Sequence, residues 1–220
     1  MSNTSSRKAR AVGRPPGDTA ERTRGEILDA ALAAFAESGF EATSVRELTR
    51  RLGVSHNLVH HHFGAKQELW RAALDHGLGS TAEELFELLG TSVGGPNPVE
   101  VVREGVERAM TLLRKRPSVA RILADESARP GPRLDYLYDR YLKPGMAVLR
   151  RFLAEARDQG LRDIDSRVAV LFVLTTATAL FTHGALAGKL GLGPGAQARH
   201  TSSHVEQKLN GLAAREPTGD

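Results

Sequence analysis

The residues best suited to chemistry stand together between Ser55 and Phe63, where Ser55, His56, Asn57, His60, His61 and His62 share one short run. Two chemistries suit such a run, metal ligation and nucleic-acid reading. His56 and His60 are four apart and share a helix face, whereas consecutive histidines splay by about 100° each. The chain has no cysteine, and no carboxylate stands at a spacing that would complete a tetrahedral set, so no metal site is expected. Base reading fits better. Asn57 can donate to and accept from an adenine edge, histidines can hydrogen-bond bases or phosphates, and Leu58 can touch a thymine methyl.

The flanking residues say how such a run would be held. At about 100° per residue, Val59 and Phe63 share one face with His62 beside them, which makes His62 a packing residue. Asn57, Leu58 and His61 point the other way, and His60 lies at the side. Ser44-x-x-Glu47 has the form of a capping box that starts a helix at Val45. Gly53 can take the left-handed conformation that ends it, and Ser55 can cap the next helix. Leu48, Val54, Val59 and Phe63 would form a small apolar cluster beneath. The result is a helix-turn-helix whose second helix enters the DNA major groove. Arg46 and Lys66 are placed on phosphates, Lys66 near a helix N-terminus whose dipole also favours an anion.

These motifs, in order, resemble the DNA-binding domain of the TetR family of bacterial transcription regulators. The resemblance runs from about Thr23 to Leu74. It rests on an Ala-rich helix ending in Phe35-Ala36-Glu37-Ser38-Gly39-Phe40, a Thr43-Ser44-Val45 start, the Gly53-Val54-Ser55 turn, a His61-His62-Phe63 close, and Lys66 followed by Leu69 and Trp70. Family members often carry Thr at the position of Leu58, Tyr at that of His60, and Pro-Ser where this chain has Gly64-Ala65. Losing the Ser cap typically costs ~1 kcal/mol, so the start of the fourth helix is expected to be loose. The resemblance implies a homodimer binding a palindromic operator, with the helices after the fourth forming a ligand-binding and dimerisation body.

Composition is consistent with this. The chain has 220 residues, enough for a proper core, with 5% aromatics and no convincing strand alternation; the expected class is all-α. The absence of cysteine fits a reducing cytoplasm, and the polar, basic start has no signal-peptide pattern. Net charge is +4, yet residues 1–24 already carry six cations (Arg7, Lys8, Arg10, Arg14, Arg22, Arg24) against Asp18 and Glu21. Gly13-Arg14-Pro15-Pro16 resembles the minor-groove core of an AT-hook, so Arg14 is a candidate DNA contact, the alternative being a solubilising tail. Val168–Gly188 lacks Asp, Glu, Lys and Arg and has the ~20 residues a membrane span requires. Its threonines, His183 and glycines make it only mildly apolar, which points to a buried helix instead and to no membrane partner.

Breakers divide the chain into a disordered basic arm (1–19), a helix-turn-helix domain (20–66), a helical body (67–213) and a short disordered tail (214–220). About nine helices are expected. The fourth runs through Leu88 with a weak point at Gly77-Leu78-Gly79, a long helix from Arg133 to Gln159 kinks at Pro144-Gly145, the eighth spans about 165–190 and the ninth about 196–213. Effector-lining candidates are Phe86, Met110, Leu113, Ile122, Tyr136, Tyr141, Met146, Phe172, Thr176 and His183, a set suited to a mostly apolar small molecule held by one or two hydrogen bonds. His183 reads first as a satisfied core histidine. A small-residue stripe (Ala169, Thr176, Ala177, Leu180, Gly184, Ala187) marks helices eight and nine as the dimer surface. No catalytic elbow, zinc-protease motif or phosphate-cradling loop is present, and no cofactor is expected. The reading is a ligand-responsive transcriptional regulator, in most such proteins a repressor, moving at the 77–79 weak point and the 144–145 kink. The alternative is a helical small-molecule binding protein or enzyme that keeps the helix-turn-helix as scaffold.

Overall fold

The computed structural model describes residues 16–79, 81–91, 97–159 and 165–191, and every element among them is a helix. The head comprises α1 (Pro16–Ala42), α2 (Val45–Leu52) and α3 (His56–Phe63), and α4 (Lys66–Leu78) leads out of it. The body comprises α5 (Thr81–Thr91), α6 (Pro98–Lys115), α7 (Pro117–Ser127), α8 (Pro132–Leu137), a π turn (Tyr138–Leu142), α9 (Lys143–Asp158), α10 (Ser166–Thr182) and α11 (Gly184–Lys189). Arg14 and the expected ninth helix at 196–213 lie outside the described residues, as does the tail.

Several boundaries differ from expectation, each for a local reason. α1 begins at Pro16 rather than Ala20, and Gly39, with φ 76°, breaks its course before the short continuation to Ala42. The fourth helix does not reach Leu88: Gly79 takes φ 54° and ψ −152°, which no helix accommodates, and α5 starts afresh at Thr81. Gly77 is no hinge. A Cβ there would lie 2.7 Å from Leu32 Cδ2 and 2.8 Å from Val119 Cγ2, so this glycine is the notch where α1, α4 and α7 meet. The expected kink at Pro144 is a π turn one turn earlier. A proline inside a helix lacks an N–H and crowds the carbonyl four residues back, here that of Arg140, and widening Tyr138–Leu142 to i→i+5 pairing gives that carbonyl room. Helix eight splits at His183 (φ −111°, ψ 23°) into α10 and α11.

One apolar core runs through head and body. Ile27, Leu28, Ala31, Leu32 and Phe35 form the buried stripe of α1 and meet Leu69, Trp70, Ala73 and Leu74 of α4 and Val119, Ala120 and Ile122 of α7. Trp70 and Phe35 are the largest side chains with almost no exposure, and each such burial stabilises by roughly 1.5–3 kcal/mol. A second cluster (Phe152, Leu153, Ala156) seats α9 on Val101 and Val102 of α6. None of the described helices is long and apolar enough to cross a membrane.

Candidate nucleic-acid interface

The first helix of the motif starts as its sequence dictates, with one change. Ser44 Oγ accepts from Glu47 N at 3.3 Å, but the Glu47 carboxylate does not return to the cap. It accepts instead from Arg50 Nε (2.8 Å) and Nη2 (2.7 Å) and from Arg51 Nε (3.1 Å). Arg50, and then Arg51, hold the Glu47 carboxyl at about 2, well below the usual carboxylate range. The capping box is therefore half formed, and its acid organises two cations beside the head. Gly53 closes the helix at φ 67°, with its N–H on Arg50 O and that of Val54 on Thr49 O.

Two buried threonines that the sequence reading overlooked complete the frame. Thr43 Oγ donates to Gly39 O (2.7 Å) and Ala34 O (3.2 Å), tying the end of α1 to the start of α2, and Thr49 Oγ donates to Arg46 O (2.9 Å). The place of Thr43 between α1 and α2 was a local hint, whereas Thr49 lies inside α2.

On α3, Val59 and Phe63 are buried, while Ser55, His56, Asn57, Leu58, His60 and His61 are exposed. Leu58 keeps 36% of its surface, one of the few large apolar side chains left outward. Ser55 occupies the N-cap position, yet its hydroxyl makes no capping hydrogen bond. His62, expected to lean inward, is exposed and stands edge-on to His61 at 5.7 Å, because Phe63 and Val59 alone fill the space beneath the helix. Arg24, absent from the sequence-based set, is exposed and lies over the Phe63 ring at 5.4 Å, on the inward side of α3.

Arg46 is exposed. Lys66 sits at the first residue of α4 behind Ala65, which supplies no side-chain cap. Its ammonium donates to Glu41 O at 3.1 Å and lies 4.6 Å from the Phe40 ring. Arg133 of α8 covers the same ring at 4.2 Å, pairs with Glu126 at 2.7 Å and reaches Glu41 at 3.4 Å. Phe40 thus lies between a head cation and a body cation, an arrangement no local motif signalled.

The effector candidates divide. Met110, Leu113 and Ile122 are buried in the main core, with Tyr136 and Tyr141 packed against it. Both tyrosine hydroxyls donate to Asp75 of α4, Tyr136 at 2.7 Å and Tyr141 at 2.5 Å. Burial, reinforced by that carboxylate, pushes the Tyr136 phenol up to about 12 and raises Tyr141 as well. Phe86 packs on buried Gly145, where a Cβ would strike its ring; Met146 and Thr176 are half-buried. Two candidates fall outside this group. Phe172 is 38% exposed because α10 turns Val168, Leu171 and Phe172 outward, and His183 is exposed because it stands at the α10–α11 break rather than in a continuous buried helix. Of the expected small-residue stripe, Ala169 and Thr176 are half-buried, Gly184 is exposed and Ala187 is buried.

A three-helix head that buries one side of its last helix and presents polar side chains on the other, joined to a helical body, defines a helix-turn-helix regulator. Comparison with known proteins narrows this. Residues 27–73 match the family model described as bacterial regulatory proteins, tetR family. The chain is 34% identical over 154 residues to the HTH-type transcriptional repressor Rv3405c of Mycobacterium tuberculosis, covering 70% of this chain and 69% of that one. Among solved structures, the ketosteroid transcriptional regulator KstR2 of M. tuberculosis superposes with a TM-score of 0.64 at 24% identity, covering 87% of this chain and 95% of that one. PfmR of Thermus thermophilus, a TetR family transcriptional regulator, superposes with a TM-score of 0.63 at 22% identity, covering 88% and 97%. The chain belongs to the TetR family of bacterial regulatory proteins. It is a DNA-binding transcriptional regulator built from a helix-turn-helix head and an all-helical body.

Proposed function

We propose that this chain is a homodimeric repressor that binds a palindromic operator through α3 and leaves it when a mostly apolar small molecule occupies the body. The observation that carries the reading is the α3 face: Asn57, Leu58, His60 and His61 are exposed above buried Val59 and Phe63. An aliphatic side chain is kept outward there among base-reading polar groups, which suits groove contact rather than solvation. Ser55 and His56 extend that face at its N-terminal end, and Arg46, Lys66 and the arm residue Arg14 supply phosphate and minor-groove contacts.

Dimerisation uses the outward apolar ridge of α10, continued by Leu186 and Leu190. Val168 and Leu171 are each more than 60% exposed in the single chain, a cost that pairing removes. Two heads then read successive major grooves ~34–36 Å apart. Effector binding shifts the population towards a head spacing that no longer fits the operator. Phe86, Met110, Leu113, Ile122 and Met146 supply the apolar contacts, with Thr176 as a hydrogen-bonding group. The cytoplasm is the compartment this role requires.

Selection of sheared genomic DNA on the purified protein at near-physiological salt tests the reading. An enriched palindrome is the expected result. Enrichment no better than on a column of unrelated protein, with effector-free refolded material, would overturn it.

A further inference from the structure

α4 is the covalent passage from head to body, and only Gly64 and Ala65 separate it from α3. Whatever fixes the tilt of α4 fixes the aim of the reading face. Along α4, Gln67, Arg71 and Asp75 recur at four-residue spacing and therefore share a side. Asp75 receives two phenolic hydroxyls: Tyr136 spans both carboxylate oxygens at 2.7 and 2.9 Å, and Tyr141 reaches Oδ1 at 2.5 Å. Arg71 lies over the Tyr136 ring at 5.0 Å, and the Trp70 ring meets Tyr136 edge-on at 6.0 Å.

The helix bearing the tyrosines is shaped for this. Positions five apart on an α-helix differ by about 140°, so Tyr136 and Tyr141 could not both face one carboxylate. The π turn at Tyr138–Leu142, closed by Lys143 N–H on Tyr138 O, brings positions five apart back to one side. Pro144 follows in the first turn of α9 and disfavours a return to regular α geometry. The irregularity and the double hydrogen bond thus belong to one device.

We propose that Asp75, Tyr136 and Tyr141 form a latch that positions α4, and through it the α3 reading face, against the π turn of the body. The three are positioning residues and need not touch DNA. This rests on the operator-binding reading above. With the latch intact the head has one orientation relative to the body; opening it frees α4 to change tilt. Hydrogen bonds to an ionised acceptor are strong enough for the loss of one to shift such an equilibrium about tenfold.

The test compares the full-length wild-type chain with Tyr136→Phe/Tyr141→Phe and with Asp75→Asn. Phenylalanine keeps the rings and their packing, and the single Tyr141→Phe variant serves if the double variant does not fold. The first readout is the affinity for the fragment recovered by genomic selection, relative to a random fragment of equal length. The latch requires this ratio to fall about tenfold or more in folded variants while random-fragment binding holds. The second is amide exchange across His56–Leu78 in the free protein, which needs no operator and should quicken in the variants. A specificity ratio within about twofold of wild type, or, if no operator is recovered, unchanged exchange, would overturn the latch. Failure of the wild type alone to recover a palindrome would instead count against the operator-binding reading.

Discussion

A single methyl group separates two meanings of Gly77. As a flexible point it would tolerate alanine, but its neighbours Leu32 and Val119 stand 2.7 and 2.8 Å from where that methyl would sit. Gly77→Ala is expected to lower stability by about 1–3 kcal/mol through overpacking, read as a shifted denaturant midpoint with unchanged slope. A midpoint equal to wild type would mean that the α1–α4–α7 crossing is looser than described. The phenols make a second case at this scale. Their pKa values are raised in the folded chain, so the neutral form is the one folding favours. The corresponding stability is fully present below the ordinary phenol value of about 10 and fades as pH rises through about 12 for Tyr136. Absorbance titration should show the Tyr136 and Tyr141 phenols ionising above the ordinary phenol value of about 10; ionisation of both near that value would contradict the Asp75 contacts.

Among the elements, α3 was the most legible in the sequence and the π turn the least. The outward and inward faces of α3 follow from helical periodicity alone, and Gly53 marks its turn, because both signals are local. His62 defeated the same reasoning. Its angular position is intermediate, and only the volume already filled by Val59 and Phe63 decides that it stays out. Pro144 announced an interruption but not the widening before it, nor that both tyrosines would meet on Asp75, 61 and 66 positions away. The Phe40–Arg133 contact is equally distant in sequence. It bears directly on how head and body move together, and Arg133→Ala should quicken amide exchange around Phe40–Ala42 while leaving α3 helical. Exchange unchanged at those amides would show that the α1 terminus is held by Thr43 and Lys66 alone.

For the whole molecule, the single chain leaves on α10 a ridge of large apolar side chains that the small-residue stripe in the sequence did not announce. Small residues suggested close helix approach, whereas the fold gives the outward positions to Val168, Leu171 and Phe172. The helix packs its other side on α7, and that tertiary choice is invisible to a pattern in which the run Val168–Leu174 puts apolar residues on every side of the helix. Leu171→Glu should convert a dimer to a monomer in sedimentation and abolish operator binding, because half-sites would lose their paired heads. A variant that stays dimeric would move the interface elsewhere.

On the proposed function, the exposed side of α3 reads bases. Titrating the recovered operator with wild type and with Asn57→Ala/His60→Ala across a salt series tests it most directly, because base contacts set specificity and phosphate contacts set the salt slope. Wild type is expected to prefer the operator over random DNA by about 10³ or more. The variant should lose most of that preference and keep a similar slope. A variant that retains the full preference would mean that α3 does not read the operator through these residues, and the account of the head would fail.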